Sequence, residues 1–479
     1  MDHFIFFFQY VIFFYSTCIV VGNITLIAMS FIHIRNYKWK FTKKEDRVLK
    51  ESPLLPGISI IAPAFNEETT IITNAKSLLT LDYPLYEVVI INDGSKDRTL
   101  ELLIESFELV ETPFAYFEKI RTKPFKRIFK SSNPKYDKLT VVDKENGGTK
   151  ADASNAGINA SMYPYFLCTD VDCILSRDCL TKMIQPFLNT SVHVIAVGAT
   201  MRMANSCELT NEGVMNRVRP PKGFIPCFQE IEYLRSFLIS KMGWSFVNAV
   251  PNVSGGLGLF DKTVAIEAGG YDPVSHAEDM DMMIRMVAYM RDFNKEYRVA
   301  QIPVTTCWTE GPPNLSVLNK QRTRWGRGLL QFFIVHRKLL FNYKYGRTGL
   351  LLLPYMFLFE FLAPVIEGFG VPFLIYFLII GKINYDTVFL MFAYLYLLGF
   401  MTSAITVAYD LMVQRLYKNS REYLKLILFA SFEVLFYHPF IVFFNLKGYI
   451  DFLSKQSFEW GVMKRKGFER KKESAVENN

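Results

Sequence analysis

The fold is indicated most directly by residues 165–172, which read YFLCTDVD. The stretch opens with an apolar run typical of a buried strand, and two carboxylates, Asp170 and Asp172, follow it at once. Side chains at positions i and i+2 lie on the same side of an extended chain, so both carboxylates would face one point. Such a pair suits Mg²⁺ or Mn²⁺ when phosphate oxygens complete the site, although a solvated loop would also contain it.

Strands and helices alternate on both sides of this stretch. The predicted strands are 57–62, 86–91, 138–142 and 165–169, and the predicted helices are 67–80, 95–107 and 150–160. This alternation is typical of an α/β domain with a mostly parallel sheet, which we expect to cover residues 56–313. Ligands bind at the carboxyl ends of the strands in such a sheet, and Asn66, Asp93, Asp170 and Asp172 all fall there.

Three loops at these strand ends contain candidate binding residues, each with a structural alternative. Asn66 and Glu67 follow the first strand, where Asn66 would cap the next helix and Glu67 complement its dipole. A contact with a nucleotide is compatible with that arrangement. Asp93 lies in Asn-Asp-Gly-Ser and is either part of a helix cap or a carboxylate for a base or a ribose. Lys150 begins a helix after Gly-Gly-Thr, an arrangement that lets backbone and ammonium approach a phosphate.

Two further strings carry side chains suited to catalysis. Glu278 and Asp279 begin an amphipathic helix, where a carboxylate would take a proton from an acceptor hydroxyl or would only favour the first helical turn. Gln321, Arg324 and Trp325 are spaced i, i+3 and i+4, so they share one helix face. Arginine offers a rigid fork for phosphate and tryptophan a flat plate for a sugar ring, and the alternative is a membrane-surface anchor.

The composition indicates a membrane protein with a soluble domain. The 479 residues are 50% hydrophobic and include 43 Phe. Residues 4–34 form an apolar stretch long enough to span a bilayer, which we interpret as a retained helix rather than a signal peptide. Further apolar segments cover 350–380, 388–412 and 424–446. Because basic residues follow the first segment and fill the tail, the positive-inside rule predicts that one segment does not cross. The candidate is 424–446, which contains Glu433, His438, Pro439 and Asn445.

The net charge of +8 does not indicate nucleic-acid binding, because basic residues cluster beside the apolar segments, as contacts with membrane lipids would require. The seven cysteines match no zinc-site spacing. The predicted organisation is a transmembrane helix at 1–34, a basic linker at 35–55, the α/β domain at 56–313, a membrane-surface segment at 314–345, a transmembrane or interfacial region at 346–450 and a basic tail at 451–479.

Taken in order, these strings resemble the inverting family 2 glycosyltransferases, which have a GT-A fold with a Rossmann-like, mostly parallel sheet. The group includes bacterial cellulose, hyaluronan and poly-N-acetylglucosamine synthases, and the resemblance covers residues 56–328. Two departures are Asn-Asp-Gly-Ser in place of Asp-Asp-Gly-Ser and Gly-Gly-Thr-Lys in place of the shorter Gly-Gly-Lys. The second departure bears on the position of Lys150.

The resemblance implies a role for each candidate residue. The residues implied for the donor are Asn66, Glu67, Asp93, Lys150 and Asp170, and those for the metal are Asp170 and Asp172. Asp279 is the implied catalytic base, and Glu278 completes its acidic pair. The diphosphate and the acceptor end are assigned to Gln321, Arg324 and Trp325. The small-residue segment 253–256 resembles the lining of the acceptor site.

The activity implied by the resemblance is a processive, inverting β-transfer from a UDP-sugar to a growing extracellular polysaccharide. The alternative is a non-processive enzyme that adds one sugar to a lipid acceptor, and the Q-x-x-R-W pattern at 321–325 favours the processive reaction. A transporter or scaffold with an inactive α/β domain is disfavoured because the carboxylates are all present. The expected partners are the UDP-sugar, a polysaccharide or lipid-linked acceptor and membrane lipids, and an accessory membrane or export subunit is a further candidate. The expected location is the inner membrane, with the catalytic domain in the cytoplasm.

Overall fold

The computed structural model describes residues 2–38, 43–171, 173–210, 213–381 and 385–454, without the side chains of 2–9, 38, 43–46 and 387. Within these residues the chain forms two compact units. The helical unit contains the described parts of 1–38, 227–251 and 312–459, and the sheet unit contains the described parts of 39–226 and 252–311. Asp172 and the tail from residue 455 lie outside the described residues.

The strands all belong to the sheet unit, and the helices are distributed over both units. In chain order the strands are β1 Ile58–Ala64, β2 Tyr86–Asp93, β3 Leu109–Glu111, β4 Phe125–Ser131, β5 Leu139–Lys144, β6 Tyr165–Thr169, β7 Ile174–Leu175, β8 Val194–Met203, β9 Glu208–Leu209, β10 Met215–Arg217, β11 Leu257–Asp261 and β12 Arg298–Thr309. The α-helices are α1 Asp2–Lys38, α2 Lys43–Glu51, α3 Ile71–Leu78, α4 Thr99–Phe107, α5 Lys150–Ala160, α6 Cys179–Leu188, α7 Phe224–Leu234, α8 Lys241–Phe246, α9 Lys262–Glu267, α10 Glu278–Asp292, α11 Leu315–Val335, α12 Leu353–Met356, α13 Ala363–Ile379, α14 Tyr385–Val413, α15 Ser420–Phe432 and α16 His438–Leu453.

The main sheet runs in the order β3-β4-β5-β2-β1-β6-β11-β8-β12-β7 within the described residues. Its central strands β5, β2, β1 and β6 are parallel, as are β8 and β12, while the remaining neighbours pair antiparallel. The predicted α/β domain with parallel strands is therefore confirmed for the centre of the sheet. In the register of this centre Ala64 pairs with Asn92 and Asp93 pairs with Lys144, so the polar strand ends lie side by side.

Helix α5 lies tightly against the sheet and fixes one of these ends. Nearly all of its residues are buried. A Cβ atom at Gly157 would stand 2.4 Å from Cγ2 of Ile61 and 2.7 Å from Cδ1 of Ile91, so only glycine allows this approach. The helix begins at Lys150 as predicted, and its first turn is held beside the ends of β5 and β6.

The helical unit contains helices long and apolar enough to cross a membrane, judged by length and composition. They cover Tyr10–Tyr37, Thr348–Ile379, Val388–Val413 and Ser420–Leu453 in the described residues. The segment predicted not to cross thus lies in a continuous helical stretch, α15 and α16 joined by a π-helical turn at Glu433–Tyr437. That this segment does not cross the membrane stays a prediction.

Helix α11 packs against α16 at unusually short distance. A Cβ atom at Gly448 would stand 2.4 Å from the Thr323 carbonyl oxygen, and one at Gly326 would stand 2.6 Å from the Asn445 carbonyl oxygen. In α11 the side chains of Phe332 and Phe333 are buried, whereas those of Trp325 and Leu329 are half-buried. Phe333 contacts the rings of Phe357 and Phe361. The segment predicted to lie on a membrane surface is therefore packed into the helical unit on this side.

Candidate active site

The loops that follow β1 and β2 are joined by hydrogen bonds. Oδ1 of Asn66 accepts from the Lys96 backbone N–H at 2.8 Å, and the Asn66 N–H donates to Oγ of Ser95 at 3.1 Å. The interpretation of Asn66 as a helix cap is wrong, because α3 begins at Ile71 with Thr70 in the cap position. Asn66 instead adopts a left-handed backbone with φ of 56°, a conformation that asparagine tolerates better than most residues.

Glu67 takes part in the same connection between loops. Its backbone N–H donates to Oγ1 of Thr99 at 2.9 Å, and its Oε2 accepts from the Thr70 hydroxyl at 2.9 Å. Because these bonds use the backbone and hydroxyl groups of both loops, Asn66 and Glu67 are held at the carboxyl ends of β1 and β2.

Asp93 forms a buried ion cluster that the sequence analysis did not identify. Its Oδ1 accepts from Nζ of Lys144 at 2.7 Å and from the Gly147 backbone N–H at 2.9 Å. The same ammonium donates to Oδ2 of Asp152 at 2.6 Å, and the Lys144 side chain is 0% exposed. A buried charge requires such pairing, so Lys144 fixes the carboxylate of Asp93 at the strand end. Lys144 ends a strand, which is the only sequence signal that would have pointed to it.

Lys150, the first residue of α5, forms a second ion pair, with Asp170. Nζ of Lys150 forms an ion pair with the carboxylate of Asp170 and donates to the Gly255 carbonyl oxygen at 2.7 Å. The Lys150 side chain is 11% exposed, and that of Asp170 is 37% exposed. Burial lowers the pKa of Lys150, but Asp170, Cys168 and Glu278 raise it by more, so the pKa lies above its ordinary value. Lys150 is therefore a charged, largely buried ammonium.

Asp279 lies in the first turn of α10, next to the segment that contains Gly255. Its Oδ2 accepts from Nδ2 of Asn252 at 2.8 Å and from the Gly255 backbone N–H at 3.2 Å. Glu278 is buried, and a Cβ atom at Gly255 would lie 3.7 Å from its Oε1 and 3.6 Å from Nζ of Lys150. The structure thus brings Lys150, Asp170, Glu278 and Asp279 together around the segment 252–255. Asn252 had no signal in the sequence, because its role depends on a contact with another element.

Asp170 is the one of the two predicted metal ligands that the structure describes. The carboxylate of Asp170 is partly exposed, and in the described part of the chain only its Oδ1 is paired, with Lys150. No three His, Cys, Asp or Glu side chains come together as a ligand set among the described residues. This fits a hard cation that takes one or two protein carboxylates and completes its shell with phosphate oxygens. The second predicted ligand, Asp172, lies outside the described residues.

The Q-x-x-R-W residues belong to the helical unit. Oε1 of Gln321 accepts from Nε2 of Gln229 on α7 at 2.9 Å. The guanidinium of Arg322 lies 4.3 Å from the ring centroid of Trp325. Arg324, which shares a helix face with Gln321 and Trp325, is half-buried. The ring of Trp325 is therefore already in contact with a cation of its own helix.

Arg322 anchors this helix through charges that the sequence analysis did not pair. Its guanidinium donates to both carboxylate oxygens of Glu232 and, at 3.0 Å, to the Tyr437 hydroxyl. Burial raises the pKa of Glu232, but the Arg322 charge and its hydrogen bonds lower it by more, so the pKa lies below its usual value. Nearby, Arg235 makes a bidentate pair with Glu433, at 2.7 and 3.1 Å.

Family models match most of this chain. One, described as glycosyl transferase family 2, matches residues 59–212, and a second, described as glycosyl transferase family group 2, matches residues 165–403. They cover the sheet unit from β1 onward, including the ends of β2 and β6 and the start of α10. The chain belongs to the family 2 glycosyltransferases, and the resemblance on which that prediction was based is confirmed.

Individual relatives are similar over part of their length. The chain is 29% identical over 325 residues to the poly-beta-1,6-N-acetyl-D-glucosamine synthase of Staphylococcus aureus strain COL, which covers 67% of this chain and 65% of that protein. It is 27% identical over 281 residues to the synthase of the same name from Staphylococcus epidermidis, covering 59% and 56%. Among solved structures it is similar to a mannosyltransferase from Pyrobaculum calidifontis in complex with GDP-Man and Mn²⁺, at 16% identity, a TM-score of 0.49, and coverage of 91% and 99%.

Proposed function

We propose that this protein is a membrane-bound, processive, inverting β-glycosyltransferase that extends a polysaccharide from a UDP-sugar. The observation that carries the proposal is the line of contacts Asp170–Lys150–Gly255–Asp279 at the carboxyl ends of the central strands. It joins a carboxylate suited to the donor side with a carboxylate suited to an acceptor hydroxyl. One carboxylate can bind the metal that neutralises the departing diphosphate, and the other can take the proton of the acceptor hydroxyl.

Asp279 is the proposed general base. The bonds from Asn252 and Gly255 orient its carboxylate, so a hydroxyl of the acceptor sugar would lose its proton to Asp279 as its oxygen attacks the anomeric carbon. The bond between that carbon and the diphosphate breaks on the opposite side, and the configuration inverts from α to β. Glu278 stays buried behind Asp279 and supports the negative potential around Lys150.

The donor would lie along the ends of β1, β2 and β6. Asn66, Glu67 and Asp93 are the proposed contacts for the uridine part, because they end neighbouring parallel strands. Asp170 and Asp172 are the proposed ligands of Mg²⁺ or Mn²⁺. When bound, that cation would neutralise charge that develops on the departing diphosphate.

The sugar and the membrane arrangement are further parts of the proposal. N-acetylglucosamine is the first sugar to test, because the S. aureus and S. epidermidis relatives carry it in their names. The apolar helices of the helical unit would span the inner membrane with the sheet unit in the cytoplasm, as the basic residues after the first helix favour. Gln321, Arg324 and Trp325 are the proposed contacts for the diphosphate and the acceptor end.

The test is UDP release by the purified full chain in detergent, with one UDP-sugar at a time, with and without EDTA. Asp279→Asn removes the proposed base while keeping the side-chain shape, and we expect the rate to fall by about 100-fold or more. Asp292→Asn, the same change at the other end of α10, is the matched control and should keep the parent rate. Release that is equally fast in both variants, or unaffected by EDTA, would contradict the proposal.

A further inference from the structure

Lys150 connects the proposed donor-side carboxylate, Asp170, with the backbone segment that holds the proposed base, Asp279. Its ammonium pairs with Asp170 and donates to the Gly255 carbonyl at 2.7 Å, and the Gly255 N–H donates to Asp279. The side chain is largely buried. An ammonium in this position cannot move into solvent without leaving Asp170 and Gly255 unpaired.

The ion pair with Asp170 occupies this carboxylate when no substrate is present. Glu278 lies near the same ammonium, because a Cβ atom at Gly255 would stand 3.6 Å from Nζ of Lys150 and 3.7 Å from Oε1 of Glu278. The ammonium is therefore the resident counter-ion of Asp170. Its carboxylate partner is the same group that the proposed function assigns to the metal.

A divalent cation on Asp170 would lie close to the ammonium of Lys150. Two positive charges a few ångströms apart repel each other. A diphosphate changes this balance, because its negative oxygens lie between the cations and attract both. The metal should therefore bind weakly without the nucleotide and tightly with it.

We propose that Lys150 makes metal binding conditional on the donor's diphosphate, by occupying Asp170 until metal and nucleotide arrive together. This inference rests on the proposed function and deepens it, because it couples the binding of the metal to the binding of the donor. Binding linkage requires the reciprocal effect: UDP tightens the metal by the same factor as the metal tightens UDP.

The test measures Mn²⁺ affinity of the purified full chain by electron paramagnetic resonance, with and without UDP. Lys150→Gln removes the charge and keeps a donor for the Gly255 carbonyl, while Lys150→Arg keeps the charge. In the parent protein we expect UDP to tighten Mn²⁺ binding by about tenfold or more. In Lys150→Gln we expect Mn²⁺ alone to bind about tenfold more tightly than in the parent, and the effect of UDP to shrink accordingly.

Controls separate the possible outcomes. Lys150→Arg and Lys76→Met, a loss of an exposed lysine on α3, should both behave as the parent does. Lys150→Met serves as a second neutral variant if the glutamine variant does not fold. Parent-like Mn²⁺ affinity in the neutral variants, with normal UDP release by the parent, overturns the inference alone. No Mn²⁺ binding to any variant in the presence of UDP overturns both the inference and the metal site of the proposed function.

Discussion

Lys144 illustrates how one buried charge supports the proposed donor-binding residues. Its ammonium joins Asp93 and Asp152 at 2.7 and 2.6 Å and is 0% exposed. Removing one partner of such a cluster leaves the remaining charges buried without compensation, at a cost of about 3 kcal/mol or more. We therefore expect Lys144→Met to lower the thermal unfolding midpoint of the purified protein by about 6 °C or more.

The matched comparisons use the same change elsewhere and a compensated variant. Lys135→Met removes an exposed lysine of the sheet unit and should leave the midpoint close to that of the parent. Adding Asp93→Asn and Asp152→Asn to Lys144→Met should recover part of the loss, because no buried charge then remains unpaired. A Lys144→Met protein as stable as Lys135→Met would show that the cluster does not carry this energy.

Individual site residues were predictable where a strand end positions them. Asp93 and Asp170 follow apolar strands, and the structure places both at the carboxyl edge of the parallel strands. Lys144 and Asn252 were not predictable, because each gains its importance from a partner far away in the sequence, 51 residues for Lys144 with Asp93 and 27 for Asn252 with Asp279. The sequence close to each of these residues does not indicate its distant partner.

Helix starts in the sheet unit show where local rules fail. Helices α3 and α4 begin at Ile71 and Thr99, later than the predicted residues 67 and 95. The backbone N–H of Glu68 donates to Asp97, and the Arg98 N–H donates to Glu68. These polar residues bond across two loops rather than capping their own helices, so the local cap signals place the starts too early. Where the signals and the tertiary bonds agree, as at α5, the start is correct.

The close packing of α11 on α16 makes a prediction about Gly448. A Cβ atom there would lie 2.4 Å from the Thr323 carbonyl oxygen and 2.9 Å from the Arg327 backbone nitrogen, and neither can rotate away. We expect Gly448→Ala to force the helices apart and destabilise the protein by about 1–3 kcal/mol, seen as a lower thermal midpoint in detergent.

Gly370→Ala on α13 is the matched control, because among the described residues the nearest atom that a Cβ at Gly370 would meet is Cδ1 of Ile12, at 3.9 Å. Alanine is also the better helix former, so this variant should be at least as stable as the parent. If Gly448→Ala unfolded at the same temperature as Gly370→Ala, α11 and α16 would not be in the described contact.

The whole chain combines a sheet unit with a helical unit, and the two were predictable to different degrees. The sheet unit follows from strand and helix periodicity and from the order of its motifs, and the family models confirm the membership. The helical unit was predictable as apolar segments, but not in its internal contacts. Buried pairs such as Arg322 with Glu232 and Arg235 with Glu433 join segments about 90 and 198 residues apart, which composition does not reveal.

We propose above all that this molecule builds a polymer from one nucleotide-activated sugar. The most direct measurement is the size distribution of the product made by the purified full chain from UDP-N-acetylglucosamine with Mn²⁺, sampled while most donor remains. Asp279→Asn serves as the inactive reference. We expect long chains at low conversion with few intermediates, because a processive enzyme keeps its product between transfers. A product limited to one added sugar on a lipid, at any conversion, would contradict it.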